Sequence, residues 1–322
     1  MRPPPLSSLC LAVLTILTSN VSSAQAPAFL GSWGSCGSGE GQFQVAEGLV
    51  IASGNVYVAD AFNHRIQRFT STGSYVGQWT VVGNGDVDYT IPVAIASDGV
   101  GSLYVVDIQT NCVVKYSSTG TFVSRFGTSG SGSGQFNKPQ GIAVDASGII
   151  YVADTFNHRI QVFDSSGGFL FSFGSMGSSE GQFNQPIGVV VSGGALYVAD
   201  SGNDRIQRFT AAGVFVSEWG GTGSADGQLK APAGLALDLN GHVYVADQEN
   251  SRIQSFTESG TFLAQWGAQG NGDGYLYHPV GVVVDAVGHT YVTDSYCRVQ
   301  VFGAVPTATT SSSWGRVKTR YR

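Results

Sequence analysis

The stretch YVADTFNHRIQVFD, residues 151–164, joins two runs of strand-forming residues through an Asp-Asn-His-Arg cluster of the kind found in active sites. The stretch is not unique, because related segments begin at Tyr57, Tyr104, Tyr197, Tyr244 and Tyr291. The aspartates that close these strands are Asp60, Asp107, Asp154, Asp200, Asp247 and Asp294, at successive spacings of 47, 47, 46, 47 and 47 residues. A motif repeated at a nearly constant spacing indicates a structural repeat rather than a single active site.

Each repeat contains four short runs of strand-forming residues. In the third repeat these runs are GIAVD (141–145), IIYVAD (149–154), RIQVFD (159–164) and FLFSFG (169–174). Short segments rich in Gly, Ser and Asp separate the runs, which is typical of tight turns. Four strands in each of six repeats predict an all-β fold, a six-bladed β-propeller with four-stranded blades.

The fourth strand of the repeat is missing at the C-terminal end. It occurs five times, ending at Trp79, Phe126, Phe173, Trp219 and Trp266. A sixth copy, FLGSWG, stands at residues 29–34, and its Trp33 precedes Trp79 by 46 residues. We therefore expect the N-terminal strand to complete the last blade and close the ring, which removes the exposed edges of an open sheet.

The two ends of the chain differ from the repeats. Residues 1–26 combine Arg2, an apolar run and the small-residue site Ala24-Gln25-Ala26, which predicts a secretory signal peptide. Its apolar run is short and is interrupted by Ser and Thr, which disfavours a membrane span. Residues 27–303 form the predicted propeller, and residues 304–322 form a Pro/Thr/Ser linker and a short basic tail. We expect a secreted monomer, extracellular, periplasmic or at the cell surface, whose tail is either a disordered end or a sorting signal.

Three recurring motifs resemble those of the NHL-repeat family: Pro-x-Gly at the inner strand, YVAD in the second strand and NHRIQ at the third. The last motif is intact at residues 63–67 and 157–161. The resemblance covers residues 28–302 and implies a six-bladed propeller. It implies no single activity, because similar family members include sensor domains of bacterial receptor kinases, RNA-binding domains of tripartite-motif proteins and a zinc-dependent amidating lyase.

The Asp-Arg pairs of the repeat are predicted to be structural, with the carboxylate accepting turn N–H groups and pairing with the guanidinium. In the second repeat Cys112 stands in place of the Arg, beside Asp107, which argues against a catalytic role shared by all repeats. No catalytic residue is therefore assigned. The pairs are Asp60/Arg65, Asp154/Arg159, Asp200/Arg205, Asp247/Arg252 and Asp294/Arg298.

The resemblance to the amidating lyase implies zinc-binding His residues one position after the residue that opens each inner strand. The matching positions here hold Glu47, Val93, Gln140, Ile187, Ala233 and Val280. None of them is His, so we expect no catalytic metal and no cofactor. A secreted lyase or hydrolase that acts at the mouth of the central channel stays open as the alternative function.

The charge of the propeller disfavours nucleic acid as a partner. The chain has 16 Lys and Arg, and setting aside Arg2 and the four basic residues of the tail leaves 11 between residues 27 and 305, against 22 Asp and Glu. A surface this acidic repels phosphates, and counterion release by basic side chains cannot drive association. We expect no nucleic-acid partner.

The preferred hypothesis is a non-enzymatic protein that binds a protein, peptide or glycan, with cationic or polar partners favoured. Loops from fourth to first strands and from second to third strands emerge on one side of a propeller, which we name the upper rim. These loops carry the candidate binding residues, since variable loops on a rigid scaffold commonly hold function. The alternative is that the acids solvate the loops and the aromatics shield neighbouring blades. The candidates are Glu40, Asp86, Asp88, Glu180, Asp226, Asp273, Phe62, Phe156 and Tyr296.

Three cysteines follow the signal peptide: Cys36, Cys112 and Cys297. In an oxidising compartment they suggest one bridge. Cys36 follows the closing strand and Cys297 begins the third strand of the last blade, so a Cys36–Cys297 disulfide is predicted. Simple pairing sets Cys297 nearer Gly34, so the predicted bridge requires the one-residue deletion in DSYCR, residues 294–298, to shift the register.

Overall fold

The computed structural model describes residues 26–83, 85 and 89–303, which form six four-stranded antiparallel sheets arranged as the blades of a propeller. The predicted tail, Asp86, Asp88 and all of the predicted signal peptide except Ala26 lie outside the described residues. Within the described ranges no helix is long and apolar enough to span a bilayer. The all-β, six-bladed prediction is confirmed.

In each of blades 1 to 5 the four strands follow one another along the chain, from the channel outward. The strands of blade 1 are Ala46–Ala52, Asn55–Asp60, Arg65–Thr70 and Tyr75–Thr80. Those of blade 2 are Pro92–Ser97, Ser102–Asp107, Cys112–Ser117 and Phe122–Phe126. Those of blade 3 are Gly141–Val144, Ile150–Asp154, Arg159–Phe163 and Phe169–Phe173.

The second half of the chain repeats this pattern. The strands of blade 4 are Pro186–Ser192, Ala195–Asp200, Arg205–Thr210 and Phe215–Gly220. Those of blade 5 are Pro232–Leu237, Val243–Asp247, Arg252–Phe256 and Phe262–Trp266. Blade 6 consists of Val282–Val284, Thr290–Asp294, Arg298–Gly303 and Ala28–Trp33. Short 3₁₀ helices link second and third strands at Ala61–Asn63, Thr155–Asn157, Ser201–Asn203 and Gln248–Asn250, and two further short strands, Thr128–Ser129 and Gln135–Phe136, pair in parallel.

The core lies between neighbouring blades. Second strands are continuous runs of mostly apolar residues because both of their faces are covered, and the Tyr of the repeated YVAD motif is buried in five of the six blades. The Tyr57 hydroxyl donates to the carbonyl of Ser118 at 2.9 Å, and the Tyr291 hydroxyl reaches Ser71 in the same way at 3.3 Å. A buried Tyr needs such a partner for its hydroxyl, so this motif ties blades together as well as filling the core.

The Gly of the Pro-x-Gly motif sets how closely the inner strands approach. A Cβ atom added at Gly141 would collide with the carbonyl oxygen of Ile187 in the next blade, and one at Gly188 would collide with that of Ala233. Glycine is required there because any side chain would push neighbouring inner strands apart. The motif therefore fixes the width of the central channel.

The N-terminal strand closes the ring as predicted. Ala28–Trp33 pairs antiparallel with Arg298–Gly303, and Trp33 lies opposite Val299. The Trp33 ring contacts Tyr291 of blade 6 and Phe69 of blade 1, each with a centroid separation of 6.0 Å. The closing strand therefore contributes both an edge pairing and core packing to the junction of first and last blades.

A disulfide joins Cys36 and Cys297 at this junction, with their Cα atoms 5.1 Å apart. Asp204 and Thr222 occupy the equivalent positions between blades 4 and 5, where the Asp204 carboxylate accepts a hydrogen bond from the Thr222 hydroxyl at 2.6 Å. The disulfide is therefore the covalent counterpart of an inter-blade contact, placed where the two ends of the ring meet. Cys112 lies buried in blade 2.

We expect the bridge to be measurable by alkylation of the denatured protein followed by mass spectrometry. Without reduction, the protein should take up two fewer alkyl groups than after reduction. A peptide that links Cys36 to Cys297 should be recovered from the digest of the unreduced protein. Equal alkyl uptake with and without reductant would contradict the bridge.

Candidate functional site

The aspartate at the end of each second strand is the centre of a hydrogen-bond network. In blade 4, Asp200 is fully buried. Its Oδ2 accepts from the Nε of Arg205 at 2.8 Å, the Nε2 of Gln207 at 3.0 Å and the Nδ2 of Asn203 at 2.9 Å. Its Oδ1 accepts from the backbone N–H of Asn184 at 2.7 Å. Every one of these neighbours is a donor, as an ionised carboxylate requires.

The same side chains also hold the loop that enters the blade. Arg205 donates to the carbonyls of Ser179 and Gln182, both at 2.9 Å. Gln207 accepts from the N–H of Gly181 at 2.9 Å and donates to the carbonyl of Gln182 at 2.7 Å. We name this set of Asp, Asn, Arg and Gln the loop clamp, because it fixes the backbone of a loop on the upper rim.

The loop clamp is complete in four blades and altered in two. In blade 6 the shortened turn lacks the Asn, while Asp294, Arg298 and Gln300 keep their roles. In blade 2, Asp107 accepts instead from Ile91 N–H, Gln109 N–H and the Thr110 hydroxyl. The complete clamps are Asp60/Asn63/Arg65/Gln67, Asp154/Asn157/Arg159/Gln161, Asp200/Asn203/Arg205/Gln207 and Asp247/Asn250/Arg252/Gln254.

Between the two carbonyls that its Arg holds, each clamped loop has two residues, of which the second is always Gly and only the first carries a side chain. In the loop between blades 3 and 4 this residue is Glu180. Glu40, Asp226 and Asp273 occupy the same position in three other clamped loops, and Ser133 occupies it in the fifth. The four acids are exposed, and their carboxylates make no hydrogen bond or ion pair with the described part of the chain. The clamp therefore fixes the backbone that carries these four acids, but their own carboxylates do not stabilise that backbone.

Acids on the opposite rim behave differently. Asp145 accepts from the N–H groups of Ser147 and Ile149 at 2.8 and 2.9 Å. Hydrogen bonds from the Ser166 hydroxyl and from turn amides lower the pKa of Asp164. These carboxylates shape turns between strands, so their place in the sequence has a structural reason. The upper-rim acids show no such reason.

The three candidate aromatics lie in different blades and do not meet. Phe62 and Phe156 are 54% and 46% exposed on their 3₁₀ helices. Tyr296 is 40% exposed, and its ring lies 5.3 Å from that of Tyr277 and 5.5 Å from the Arg298 guanidinium. They are separate anchor positions on the upper rim rather than one aromatic patch.

The central channel is constricted by a ring of six apolar side chains, one from each inner strand, each nearly buried. Above the ring lies a cavity of about 80 Å³, lined by residues that include Val93, Gln140, Ile187 and Val280. Below it lies a cavity of about 180 Å³ with apolar walls. The six ring residues are Leu49, Ile95, Ile142, Val189, Leu235 and Val282.

Glu47 occupies the first-blade position equivalent to Val93 and Gln140, which line the upper cavity, and it directly precedes the lining residues Gly48 and Leu49. Its carbonyl accepts from the Thr293 hydroxyl of the last blade at 2.6 Å. Burial raises the pKa of its carboxyl from 4.5 to about 7, although the residue keeps partial contact with solvent. Both observations fit a carboxyl in a narrow, water-accessible channel, where little water can solvate the charge.

Among residues 26–83, 85 and 89–303, no group of three or more His, Cys, Asp or Glu side chains converges to hold a metal ion. His64 and His158 cap 3₁₀ helices on the upper rim, while His242 and His289 contact Asp238 and Asp285 on the opposite rim. The described histidines therefore form no common site.

Comparison with known families and structures supports the fold. The NHL repeat model matches residues 43–69, 136–163, 183–209 and 229–256, which fall in blades 1, 3, 4 and 5. These are the four blades with a complete loop clamp. Comparison with curated proteins finds no significant match.

Several solved structures share the architecture. Virginiamycin B lyase from Staphylococcus aureus aligns at a TM-score of 0.57 and 15% identity, over 80% of each chain. An auxiliary nutrient binding protein from Bacteroides thetaiotaomicron aligns at 0.60 and 15%, over 81% of this chain and 69% of that one. A chain of the nidogen/laminin complex aligns at 0.56 and 20%, over 74% and 85%. Such low identities show the fold alone. The chain therefore contains four matched NHL repeats within a six-bladed β-propeller fold.

Proposed function

We propose that this protein is a secreted, non-enzymatic binding protein that recognises a protein, peptide or glycan through its upper rim and favours cationic groups. The observation that carries the proposal is the set of four exposed acids, Glu40, Glu180, Asp226 and Asp273, on clamped loops. Their carboxylates have no partner in the described structure. Like charges gathered on one rim repel one another, and a cationic partner relieves that repulsion.

The rigid backbone of the clamped loops lets several weak ion pairs act together in binding. An exposed ion pair contributes only about 0–1 kcal/mol, because water and salt screen it. Several pairs formed at once on a preorganised backbone add without a large ordering cost. Complementary charge also raises the rate of encounter and selects among partners. The exposed rings of Phe62, Phe156 and Tyr296 add apolar anchors at the same rim.

Two features support secretion. Residues 1–26 have the composition of a signal peptide. The Cys36–Cys297 disulfide joins the ends of the ring, and such structural disulfides persist in oxidising compartments.

The enzymatic alternative places chemistry at the channel mouth, and the fold is shared with a lyase. The upper cavity of about 80 Å³ is small beside the roughly 300–1,000 Å³ of typical small-molecule sites. The broad rim is therefore the better candidate surface, and its neighbours in fold include a nutrient binding protein and a chain of the nidogen/laminin complex.

The proposal predicts that neutralising the four acids weakens binding of a cationic peptide. The variant Glu40→Gln, Glu180→Gln, Asp226→Asn and Asp273→Asn should bind a decalysine peptide about tenfold more weakly, at roughly 0.3–0.5 kcal/mol per lost pair. Isothermal titration calorimetry at low salt measures the change. The wild-type affinity should also fall as salt rises toward the physiological range, where screening shortens to about 8 Å.

The matched control removes four negative charges from the opposite rim: Asp98→Asn, Asp145→Asn, Asp164→Asn and Glu258→Gln. Asn keeps an oxygen that accepts from the turn amides, so the fold should persist. This control changes the net charge by the same amount and should leave the affinity within about twofold of wild type. Equal weakening by both variants would show that net charge, rather than the upper rim, governs binding.

A further inference from the structure

The residue after each inner-strand opening forms a sixfold ring at the upper end of the channel. Five positions of this ring hold uncharged residues: Val93, Gln140, Ile187, Ala233 and Val280. The sixth is Glu47, and the residues that follow it, Gly48 and Leu49, line the upper cavity. A single acid thus interrupts an otherwise uncharged ring.

The Glu47 carboxyl has no counter-charge in the described structure. Neither a hydrogen bond nor an ion pair joins it to residues 26–83, 85 or 89–303, whereas Asp60 and Asp294 on the strands nearby are each paired with an Arg. The contact that Glu47 makes with Thr293 uses its backbone carbonyl, which any residue would supply. The Glu47 side chain therefore adds no hydrogen bond or ion pair to the described structure, and an unpaired charge with little water around it is unfavourable.

We propose that the upper cavity receives one alkylammonium or alkylguanidinium group, such as the head of a Lys or Arg side chain of the bound partner, with the Glu47 carboxylate as its counter-ion. The source of that group rests on the proposed function of the upper rim. The cavity opens at the centre of that rim, because inner strands begin there. The four rim acids would gather a cationic partner, and Glu47 would select one of its side chains.

The size and lining of the cavity fit such a group. A volume of about 80 Å³ holds a head group and its last methylenes, but not a complete small molecule. The apolar walls from Val93, Ile187 and Val280 suit an alkyl stem, and Gln140 offers an amide oxygen to a second N–H. Below them the ring of six apolar side chains blocks deeper entry.

The test uses n-butylammonium as the probe and methyl NMR as the readout. In the wild type at pH 8, where Glu47 is ionised, titration should shift the methyl signals of Val93, Ile187 and Val280. In Glu47→Gln the apparent dissociation constant should rise about thirtyfold or more, as for loss of one member of a desolvated charge pair. Neutral n-butanol should bind both proteins equally weakly.

A second variant tests whether weaker binding by Glu47→Gln comes from loss of the carboxyl or from damage to the fold. Glu47→Gln combined with Gln140→Glu moves the carboxyl to another position of the same ring and should restore n-butylammonium binding. The variant that neutralises the four rim acids should keep n-butylammonium binding while losing affinity for decalysine, so failure of the rim and failure of the channel are distinguishable. Unchanged binding in Glu47→Gln, or no restoration by the double variant, would overturn the proposal.

Discussion

A chain that begins at Ser35 is expected to lose the cooperative unfolding transition of a chain that begins at Pro27. The missing segment pairs along Arg298–Gly303 and places Trp33 against Tyr291 and Phe69. Its removal leaves the third strand of blade 6 as an open edge, and open edges template aggregation. It also leaves the core between first and last blades uncovered on one side. Thermal unfolding followed by circular dichroism should show a broad transition, with aggregation in light scattering.

A synthetic peptide of residues 27–34 tests whether the shortened chain loses cooperative unfolding because the strand is missing or because the rest of the fold is disrupted. Added to the shortened chain, it should pair with Arg298–Gly303 and restore a sharp transition, as donated strands do in other sheets. A matched peptide with Trp33→Ala should restore less, because it returns the edge pairing without the indole. A melting curve of the shortened chain that equals that of the longer one would contradict the role of the strand in ring closure.

The fold could be predicted from the sequence because six repeats report on one geometry. The Asp that ends each second strand and the aromatic that ends each fourth strand recur at a nearly constant spacing. A loop of unusual length in one repeat does not hide that spacing. The missing fourth strand in the last repeat and the extra FLGSWG at the start fit one arrangement. Here local pattern and ring symmetry agree, which is the condition for a confident structural prediction.

The partners of the loop clamp could not be predicted in the same way. The NHRIQ motif shows Asn63, Arg65 and Gln67 in the sequence, but their acceptors lie about 26 residues earlier, in Gly37, Gly39 and Gln42. Those acceptors are backbone carbonyls, which leave no residue-specific signature. Only the Asp-Arg pairing and turn N–H groups that donate to the Asp were expected, and the Asn and Gln that complete the clamp were missed although they recur in four blades.

Glu47 was missed for a different reason. The resemblance to the amidating lyase implies His at the ring positions, and Glu47, which is not His, carried no prediction. Glu47 is exceptional because the equivalent residues of the other five blades are uncharged. That contrast matters only once the structure places all six positions around one channel. The signal for Glu47 in the sequence is one charged residue at a position that is uncharged in the other five repeats.

The second large expected effect concerns the loop clamp itself. Asp200→Asn should lower the free energy of unfolding by about 3–5 kcal/mol, the usual cost of leaving one member of a buried charge pair unpaired. Asp200 is fully buried and Arg205 nearly so. The new amide would bring N–H groups toward Asn203, Arg205 and Gln207, all of which donate to the carboxylate. Urea unfolding at neutral pH measures the change.

Asp107→Asn is the matched control, because it makes the same substitution at the same position of a blade without the clamp. Asp107 is equally buried, but Cys112 stands in place of the Arg and Val114 in place of the Gln. The Thr110 hydroxyl can rotate to accept from the new amide, and no buried guanidinium loses its partner. The loss should therefore be about 1 kcal/mol, in the range of one neutral hydrogen bond. Equal losses in the two variants would show that the charge pair adds nothing to the clamp.

The same pair of variants connects stability with the proposed binding surface. The N–H of Gly181, next to Glu180, donates to Gln207 of the clamp. If the clamp holds the rim acids in place, Asp200→Asn should speed hydrogen exchange at Gly181 more than at Gly41, whose N–H donates to Gln67 in an intact clamp. The affinity for decalysine should fall in step, because a loop that must be ordered on binding loses part of its interaction energy. Asp107→Asn should change neither the exchange at Gly181 nor the affinity, since blade 2 holds none of the four rim acids.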